Sequence, residues 1–186
     1  TLAREADAVL YTHAGPEVAV ASTKAFTAQI TAIYLLGLHL ATVRGAHSKS
    51  ELEVIGRELL KVPGDISDVL ADMDQTRALA KKFKDASSVL FLGRHVGFPI
   101  ALEGALKLKE LAYIHSEGFA AGELKHGPIA LIEEGQPVIV IVPSPSDPDA
   151  LHAKIVSNIQ EVRARGAQVI AIADYLTQPY LVIATK

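Results

Sequence analysis

The sequence predicts a three-layer, doubly wound α/β fold in which helices cover both faces of a parallel β-sheet. Three short runs, residues 88–93, 137–144 and 168–174, are apolar at nearly every position, which is typical of strands buried on both faces. Stretches with helical spacing of apolar residues alternate with these runs, as expected for crossovers between parallel strands. With 186 residues, of which 49% are apolar and 21% charged, the chain can bury such a core.

The beginning of the chain predicts one strand and one long helix. Residues 8–15 form a short apolar run that ends in glycine, which favours a buried strand. From about residue 18 to 43 apolar residues dominate with few helix breakers, which predicts a helix covered on most sides and ended near Gly45. The apolar run within it, Ile30–Leu40, is interrupted by a glycine and a histidine. We therefore expect it to be too short and too polar to cross a membrane.

Two amphipathic helices follow. The first begins at Ser48 or Ser50, which can cap it, and ends before Pro63. The second covers about residues 75–86 and leads into the next strand. The remaining elements are predicted as strand, helix, strand, helix and strand, at residues 88–93, 99–113, 137–144, 149–166 and 168–174.

The pattern of elements predicts three parts of the chain. Residues 1–46 are expected to be the carboxy-terminal part of one α/β domain, residues 47–75 connecting helices, and residues 76–186 an incomplete second α/β domain. The sequence "VPGD" at residues 62–65 is the expected break between them. The strand-to-helix passages of the two α/β parts are loosely similar, which is only weak support for an internal duplication.

Charge and cysteine content exclude several classes of function. The net charge is −3 and the basic residues are scattered, which argues against a dedicated nucleic-acid-binding protein. The chain has no cysteine, which excludes disulfides, cysteine-ligated zinc and a cysteine nucleophile within it. A cytoplasmic protein fits this composition best.

A stripe of charged residues on the helix at 99–113 has two interpretations. Glu103, Lys107 and Glu110 are spaced i, i+4 and i+7, so they share one face. They could form a surface ladder of ion pairs, worth about a few tenths of a kcal/mol each. The following stretch favours a proton-transfer site instead, because glutamates and His126 occur there among glycines and alanines that allow a ligand close to the backbone.

Sugar isomerisation would use these residue types. A proton that moves between adjacent sugar carbons needs one carboxylate base, for which Glu110 is suited. Lys107, one turn away, could keep that carboxylate charged or stabilise a developing enolate. A histidine titrates near neutral pH and could open a cyclic sugar, which suits His126. We expect these groups to meet at a crevice beyond the carboxyl ends of the strands.

Other kinds of site are less well supported. A metal site is not expected, because the glutamate and His126 of "ELKH" lie in an apparent loop without a second histidine nearby. No G-x-S-x-G motif supports a serine nucleophile. The glycines of "GRHVGFP" at residues 93–99 match neither a dinucleotide fingerprint nor a phosphate-binding P-loop, and a tight turn explains them better. We expect no cofactor.

Four motifs resemble one enzyme family. They are "VASTKAFTAQ" at residues 20–29, "ALEGALKLKE" at 101–110, "GELKHGP" at 122–128 and "SNIQEVRARGAQV" at 157–169. Together they are similar to the isomerase portion of the glutamine:fructose-6-phosphate amidotransferases, the glucosamine-6-phosphate synthases. The pattern E-x-x-H-G-P occurs across the wider sugar isomerase (SIS) domain superfamily, whereas the second and third motifs together are far more specific. The resemblance extends from residue 1 to about residue 174.

The resemblance implies a fold and a reaction. The fold is the flavodoxin-like SIS fold, with the end of one SIS domain followed by most of a second. The reaction converts fructose 6-phosphate and glutamine-derived ammonia to glucosamine 6-phosphate, for amino-sugar and cell-wall precursor biosynthesis. The family works as a homodimer, and a glutaminase domain belongs to the same parent chain.

The resemblance also implies roles for single residues. By motif position, Glu110 matches the base that moves a proton between C1 and C2, and Lys107 matches the lysine beside it. His126 matches the ring-opening histidine, which reaches the sugar bound by the other subunit. A sugar-contacting segment of the family matches Val20, Ala21 and Ser22.

Two further functions stay open at this point. One is a non-catalytic SIS module that binds a sugar phosphate, and the other is a structural dimerisation domain, for which the apolar helix Ala21–Leu40 is the relevant feature. The presence of both Glu110 and His126 favours catalysis, because a binding module needs neither a base nor a ring-opening group.

The resemblance implies that the chain is part of a longer enzyme. The serine- and threonine-rich phosphate loop of the family, of S-Q-S-G-E-T type, precedes the position of Thr1, and the carboxy-terminal tail of the family has no match. The stretch of residues 175–186 also contains fewer residues than the family has at this position. Because a phosphate dianion needs several oriented donors, we expect the chain by itself to bind fructose 6-phosphate weakly and to be inactive.

Overall fold

The computed structural model describes residues 2–71, 73–145 and 150–173. The chain divides into two compact units, Thr1–Met73 and Asp74–Lys186. The first unit contains the helices α1 (Leu2–Glu5), α2 (Lys24–Arg44) and α3 (Lys49–Ala71). The second contains α4 (Asp74–Phe83), β1 (Ser88–Gly93), α5 (Gly97–Ala112), β2 (His115–Ala120), two 3₁₀ helices (Ala121–His126 and Pro128–Leu131), β3 (Pro137–Ile141), α6 (Leu151–Arg163) and β4 (Gln168–Ile172).

The long helix of the first unit, α2, differs from its prediction in two ways. Its end is as predicted, since Gly45 adopts the left-handed conformation with φ of 61° and its N–H caps the helix. It begins at Lys24, several residues later than expected, and none of its 21 residues is buried. The expected cover on most sides was therefore wrong. Residues 8–15 were predicted as a strand and are irregular, since the described part of this unit offers no strand with which they could pair.

The length of α2 also corrects the expectation about membranes. The glycine and histidine within it do not interrupt the helix, which is long and apolar enough to cross a membrane by length and composition. Core helices of water-soluble proteins meet the same criterion, so the property is weak evidence for a membrane span.

α3 begins as predicted and continues further than predicted. The Ser48 hydroxyl accepts from the Glu51 N–H at 3.3 Å, and the Glu51 carboxylate accepts from the Ser48 N–H at 2.8 Å. This reciprocal pair is a capping box, which confirms Ser48 as the cap. The helix runs through Pro63 to Ala71, so both the predicted end and the predicted break at residues 62–65 were wrong. The amphipathic spacing continues past Pro63, which explains why the helix does too.

The second unit is built on a parallel sheet. Its described strands lie in the order β2-β1-β3-β4, and every pair is parallel, with Ser88 opposite His115 and Val138 opposite Val169. β1, β3 and β4 confirm the three predicted apolar strands, although the last two are shorter at their ends. Residue 174, the predicted end of the last strand, lies outside the described residues.

Helices cover both faces of this sheet. On one face, Ala101 and Ala105 of α5 pack against Val89 and Phe91 of β1. On the other, a larger cluster joins α6 and the first 3₁₀ helix to the strands; its fully buried members are Leu92, Ala121, Leu124, Val138, Val140, Ile155 and Val162. These two clusters confirm the three-layer, doubly wound α/β fold. The division into residues 1–46, 47–75 and 76–186 stays a prediction.

β2 was not predicted. Its sequence "HSEGFA" has a glutamate and a glycine and lacks a β-branched run, so apart from Phe119 its composition does not favour a strand. It is one of the two edge strands of the described sheet and pairs with β1 along its whole length. Gly118 permits the close approach of α5, because a Cβ there would lie 3.0 Å from the Leu102 backbone.

Candidate active site

The turn between β1 and α5 lies at the carboxyl edge of the sheet. The Gly97 N–H donates to the Arg94 carbonyl at 2.8 Å, and the Phe98 N–H donates to the His95 carbonyl at 3.1 Å. A Cβ on Gly93 would lie 2.1 Å from the Gly97 carbonyl oxygen, so only glycine fits there. The interpretation of "GRHVGFP" as a tight turn into a helix is confirmed.

Lys107 lies between two carboxylates on α5. Its ammonium is 2.5 Å from a Glu110 oxygen and 3.4 Å from a Glu103 oxygen. The three side chains are between 20% and 26% exposed, which is well below the exposure of an ordinary surface ladder. The hydrogen bond to Glu110 raises the pKa of Lys107, and the contact with Glu103 adds to this against the opposing effect of burial. The lysine therefore stays positively charged beside the Glu110 carboxylate.

His126 is the last residue of the first 3₁₀ helix and is open to solvent. Its Nε2 lies 3.9 Å from a Glu123 oxygen, too far for a hydrogen bond, and both side chains are about three-quarters exposed. The inner side of the same helix is anchored by Ala121 and Leu124, which are fully buried. The fold thus fixes the backbone of this segment while the imidazole points away from the core.

Glu110 and His126 lie at opposite ends of the sheet. The Ser116 hydroxyl donates to the Ala105 carbonyl at 2.8 Å, which places the middle of α5 beside the beginning of β2. Along α5, Glu110 lies beyond this contact, towards the edge of the sheet where the strands begin. β2 runs from the same contact in the opposite direction, to the segment that carries His126 at the edge where the strands end. Helix and strand rises give a separation on the order of 20 Å. The expectation that these groups meet at one crevice of this chain was therefore wrong.

The predicted sugar-contacting residues belong to the first unit. Val20 is almost fully exposed and Ala21 is buried. Ser22 is partly buried and precedes α2, rather than lying on a helix as its apolar surroundings suggested. Sequence reasoning missed the role of Glu17, whose carboxylate accepts from the N–H groups of Thr23 and Ala25 at 3.2 and 3.0 Å and so caps α2.

A polar network beside His126 was also missed. Asn158 of α6 is only 6% exposed, and its side-chain oxygen accepts from Arg94 at 3.0 Å. One signal could have revealed it, since Asn158 occupies a core position of α6, three residues after Ile155 and four before Val162. A polar residue at such a position needs buried partners.

The described residues offer no site for a metal ion. Within residues 2–71, 73–145 and 150–173, no three side chains of His, Cys, Asp or Glu are grouped so that they could hold one. The second unit also carries a lysine, carboxylates and an imidazole at the candidate positions. These can bind anions and transfer protons.

Comparison with known proteins gives a family match. Residues 1–39 and 82–180 match the family described as SIS domain, which together make up more than half of the chain. The two matched ranges are separated by residues 40–81, most of which belong to α3 and α4.

Curated relatives are highly similar but much longer. The glutamine–fructose-6-phosphate aminotransferase (isomerizing) of Corynebacterium diphtheriae is 70% identical over 175 residues, which is 94% of this chain and 28% of that protein. The enzyme of the same name from Mycolicibacterium smegmatis is 62% identical over 180 residues, 95% of this chain and 29% of that protein. The chain thus spans less than a third of the length of these relatives.

Solved structures show the same fold. The C-terminal domain of glucosamine-fructose-6-phosphate aminotransferase from Francisella tularensis matches 95% of this chain and 49% of its own, with a TM-score of 0.90 and 39% identity. A glucosamine-6-phosphate deaminase from Thermotoga maritima matches 85% of this chain and 44% of its own, with a TM-score of 0.57 and 26% identity.

Proposed function

The chain belongs to the SIS domain family, and from that premise we propose that it is part of the isomerase portion of a glutamine–fructose-6-phosphate aminotransferase. The parent enzyme converts fructose 6-phosphate and glutamine-derived ammonia to glucosamine 6-phosphate. The names of the relatives, at 60% to 70% identity, support this reaction. The observation that carries the proposal is the Lys107 ammonium held between Glu103 and Glu110 on a half-buried face of α5.

Each charged residue has a place in this reaction. Ammonia adds to the open-chain sugar at C2 and water leaves, which gives an imine. Glu110 takes a proton from C1 and returns it to C2, and the proton of the C1 hydroxyl ends on the nitrogen, so that the carbonyl group ends at C1 and the amine at C2. Lys107 stabilises the negative charge that develops during this transfer. His126 opens the ring by moving a proton to the ring oxygen.

The distance between Glu110 and His126 supports a shared site in a homodimer. One sugar cannot contact two residues that are on the order of 20 Å apart along the strand direction. If Glu110 of one subunit acts with His126 of the partner subunit, both groups can reach the same sugar. Val20, Ala21 and Ser22 contact the sugar in this proposal, and the parent protein is cytoplasmic.

The decisive experiment replaces Glu110 with glutamine in the full-length parent enzyme. The amide keeps the shape of the side chain but cannot take the proton, so we expect amino-sugar formation to fall at least about 1,000-fold, with sugar binding changed less than about tenfold. Glu58→Gln is the matched control, because Glu58 forms an i,i+3 pair of similar length with Lys61 on exposed α3. Turnover near the wild-type rate in Glu110→Gln would refute the role of Glu110.

Mixed dimers test the shared site. Glu110→Gln and His126→Ala subunits are inactive separately, but a dimer of one each retains one intact site if the histidine comes from the partner. Random mixing should restore about a quarter of the wild-type activity. No recovery in mixtures that are shown to exchange subunits would contradict a shared site.

The second candidate is an SIS module that binds the sugar phosphate without catalysis. The glutaminase domain of the proposed parent distinguishes the two, because an aminotransferase needs a source of ammonia. Glutamine-dependent formation of glucosamine 6-phosphate by the full-length protein supports the enzyme. Sugar-phosphate binding without any turnover would favour the module.

A further inference from the structure

Four residues form a polar network beside the segment Ala121–His126. They come from three elements: the turn after β1, helix α6 and the segment itself. Arg94 donates to Asn158, Asn158 donates to Glu161, and Glu161 pairs with Lys125, the residue before His126. We infer that Arg94, Asn158 and Glu161 are positioning residues that hold Ala121–His126, and with it His126, in its working orientation. This inference rests on the proposed function of His126.

Asn158 has a fixed orientation in the network. Arginine has only donors, so the oxygen of the Asn158 amide must face Arg94, at 3.0 Å. The amide nitrogen then faces Glu161 and donates to its Oε2 at 3.4 Å. If the amide were reversed, two donors would oppose each other at the guanidinium. Because Asn158 is nearly fully buried, both contacts are needed to satisfy its polar atoms.

Glu161 connects the buried part of the network to the exposed segment. Its Oε1 lies 3.0 Å from the Lys125 ammonium and accepts from the Ser157 hydroxyl at 3.3 Å. Burial raises the pKa of Glu161, but the hydrogen bonds from Lys125, Asn158 and Ser157 outweigh this, so the pKa lies below its ordinary value. Glu161 is therefore charged at neutral pH, and it is only 20% exposed although its partner Lys125 is 66% exposed.

The network contacts the segment at both ends. At the beginning, the Arg94 guanidinium lies 3.2 Å from where a Cβ on Gly122 would be, so glycine allows the cation to lie close to the backbone. At the end, Glu161 holds Lys125. Leu124, fully buried between these points, fixes the inner side. The contacts at Gly122, Leu124 and Lys125 restrain this short 3₁₀ helix more than its own weak hydrogen bonds can.

The restraint matters because, among the residues that the structure describes, no hydrogen bond or close ion pair is found for His126. The nearest charged partner, Glu123, is 3.9 Å away and equally exposed. The position of the imidazole is therefore set by the backbone of the segment. A small rotation of this backbone would displace a group that must transfer a proton to one ring oxygen, and rates are sensitive to such displacements.

The test uses Glu161→Gln in the full-length enzyme, with Arg163→Gln as the control on the exposed side of the same helix. The first measurement is hydrogen exchange of the backbone amides of residues 121–127. We expect exchange there to become about fivefold faster in Glu161→Gln, with the rest of the sheet unchanged, and no change in the control. Unchanged exchange in this segment would overturn the inference, whatever the activity of the enzyme.

The second measurement separates positioning from general damage. Turnover is compared on fructose 6-phosphate and on 5-deoxyfructose 6-phosphate, which cannot close the furanose ring. We expect Glu161→Gln to lower kcat on the cyclic sugar about tenfold at an unchanged KM, with a smaller loss on the open analogue. Equal losses on both sugars, or faster exchange without any loss of kcat, would also overturn the inference.

A charge reversal provides the rescue. Lys125→Glu and Glu161→Lys should each loosen the segment, and the double variant should restore slow exchange in part, because the ion pair is re-formed with opposite polarity while the hydrogen bond from Asn158 to residue 161 stays lost. An additive double variant would contradict a direct pair. If the wild-type enzyme formed no amino sugar at all, the proposed function would fail, while the exchange measurements would still decide whether the network holds the segment.

Discussion

Two helices of this protein carry nearly the same ion pair in different surroundings. On α3, Glu58 and Lys61 are three residues apart and 2.6 Å from each other, and both are more than 60% exposed. On α5, Lys107 and Glu110 have the same spacing and a distance of 2.5 Å, but are 20% and 26% exposed. Among the described residues, only the second lysine has a second carboxylate, Glu103, within 4 Å.

The difference shows that spacing does not separate a surface ladder from a candidate site. Both pairs satisfy the same helical rule, and water screens the pair on α3 so that it contributes little. Less water reaches the pair on α5, so its charges act more strongly on each other and on a ligand placed beside them. The following variants compare the two regions, from the largest expected effect to the smallest.

Core truncation should separate the two regions most strongly. Leu92 of β1 is fully buried, whereas Leu60 of α3 is 81% exposed. Leu92→Ala should lower the free energy of unfolding by about 2–5 kcal/mol, because it leaves a cavity, and Leu60→Ala by less than about 0.5 kcal/mol. Urea denaturation of the full-length protein measures both. Equal effects would mean that a partner outside the described residues buries Leu60.

Removal of the two lysines compares the ion pairs directly. Lys107→Met in the full-length enzyme should lower kcat for amino-sugar formation about 100-fold, because the charge that stabilises the developing anion is lost. Lys61→Met should leave kcat within about twofold, since that pair is exposed. Steady-state kinetics on both variants decides this. A similar loss of activity in both would remove the reason to place the site on α5.

The cap of α3 gives a smaller, purely structural effect. Ser48→Ala removes the hydroxyl from the capping box and should destabilise the first unit by about 1 kcal/mol, without loss of turnover. Ser48→Thr is the conservative control, because threonine keeps the hydroxyl. Thermal denaturation and activity are measured together, and a loss of turnover in Ser48→Ala at a temperature where the protein is folded would contradict this expectation.

A fall in pH should destabilise both units, through Glu51 of α3 in the first and Glu161 of α6 in the second. The pKa of Glu51 is lowered mainly by its hydrogen bonds with Ser48, and that of Glu161 by its contacts with Lys125 and Asn158 despite the opposing effect of burial. Each carboxylate therefore contributes stability that is present above pH 4.5 and is lost as the pH falls below it. The destabilisation caused by Glu51→Gln or Glu161→Gln should be present at pH 7 and should decrease as the pH falls below 4.5 and through the lowered pKa of each folded-state carboxyl. Urea denaturation at several pH values measures this.

The sequence by itself determined most of the second unit. β1, β3, β4 and the helices between them follow from continuous apolar runs and helical spacing, which report burial directly. The end of α2 at Gly45 and the cap of α3 at Ser48 could also be predicted from the sequence, because helix caps depend on the residues next to them in the chain. The motifs also indicated the family.

Only the tertiary structure decided the elements whose partners are distant in the sequence. β2 is a strand because β1 lies beside it, and the burial of Asn158 becomes meaningful only with Arg94 opposite. The same holds for the site. Helical spacing placed Lys107 and Glu110 together, but the direction of α5 against the sheet placed His126 at the other end. Local patterns report which residues share a face, whereas the distance between faces depends on how separate elements pack, and that is a property of the folded chain.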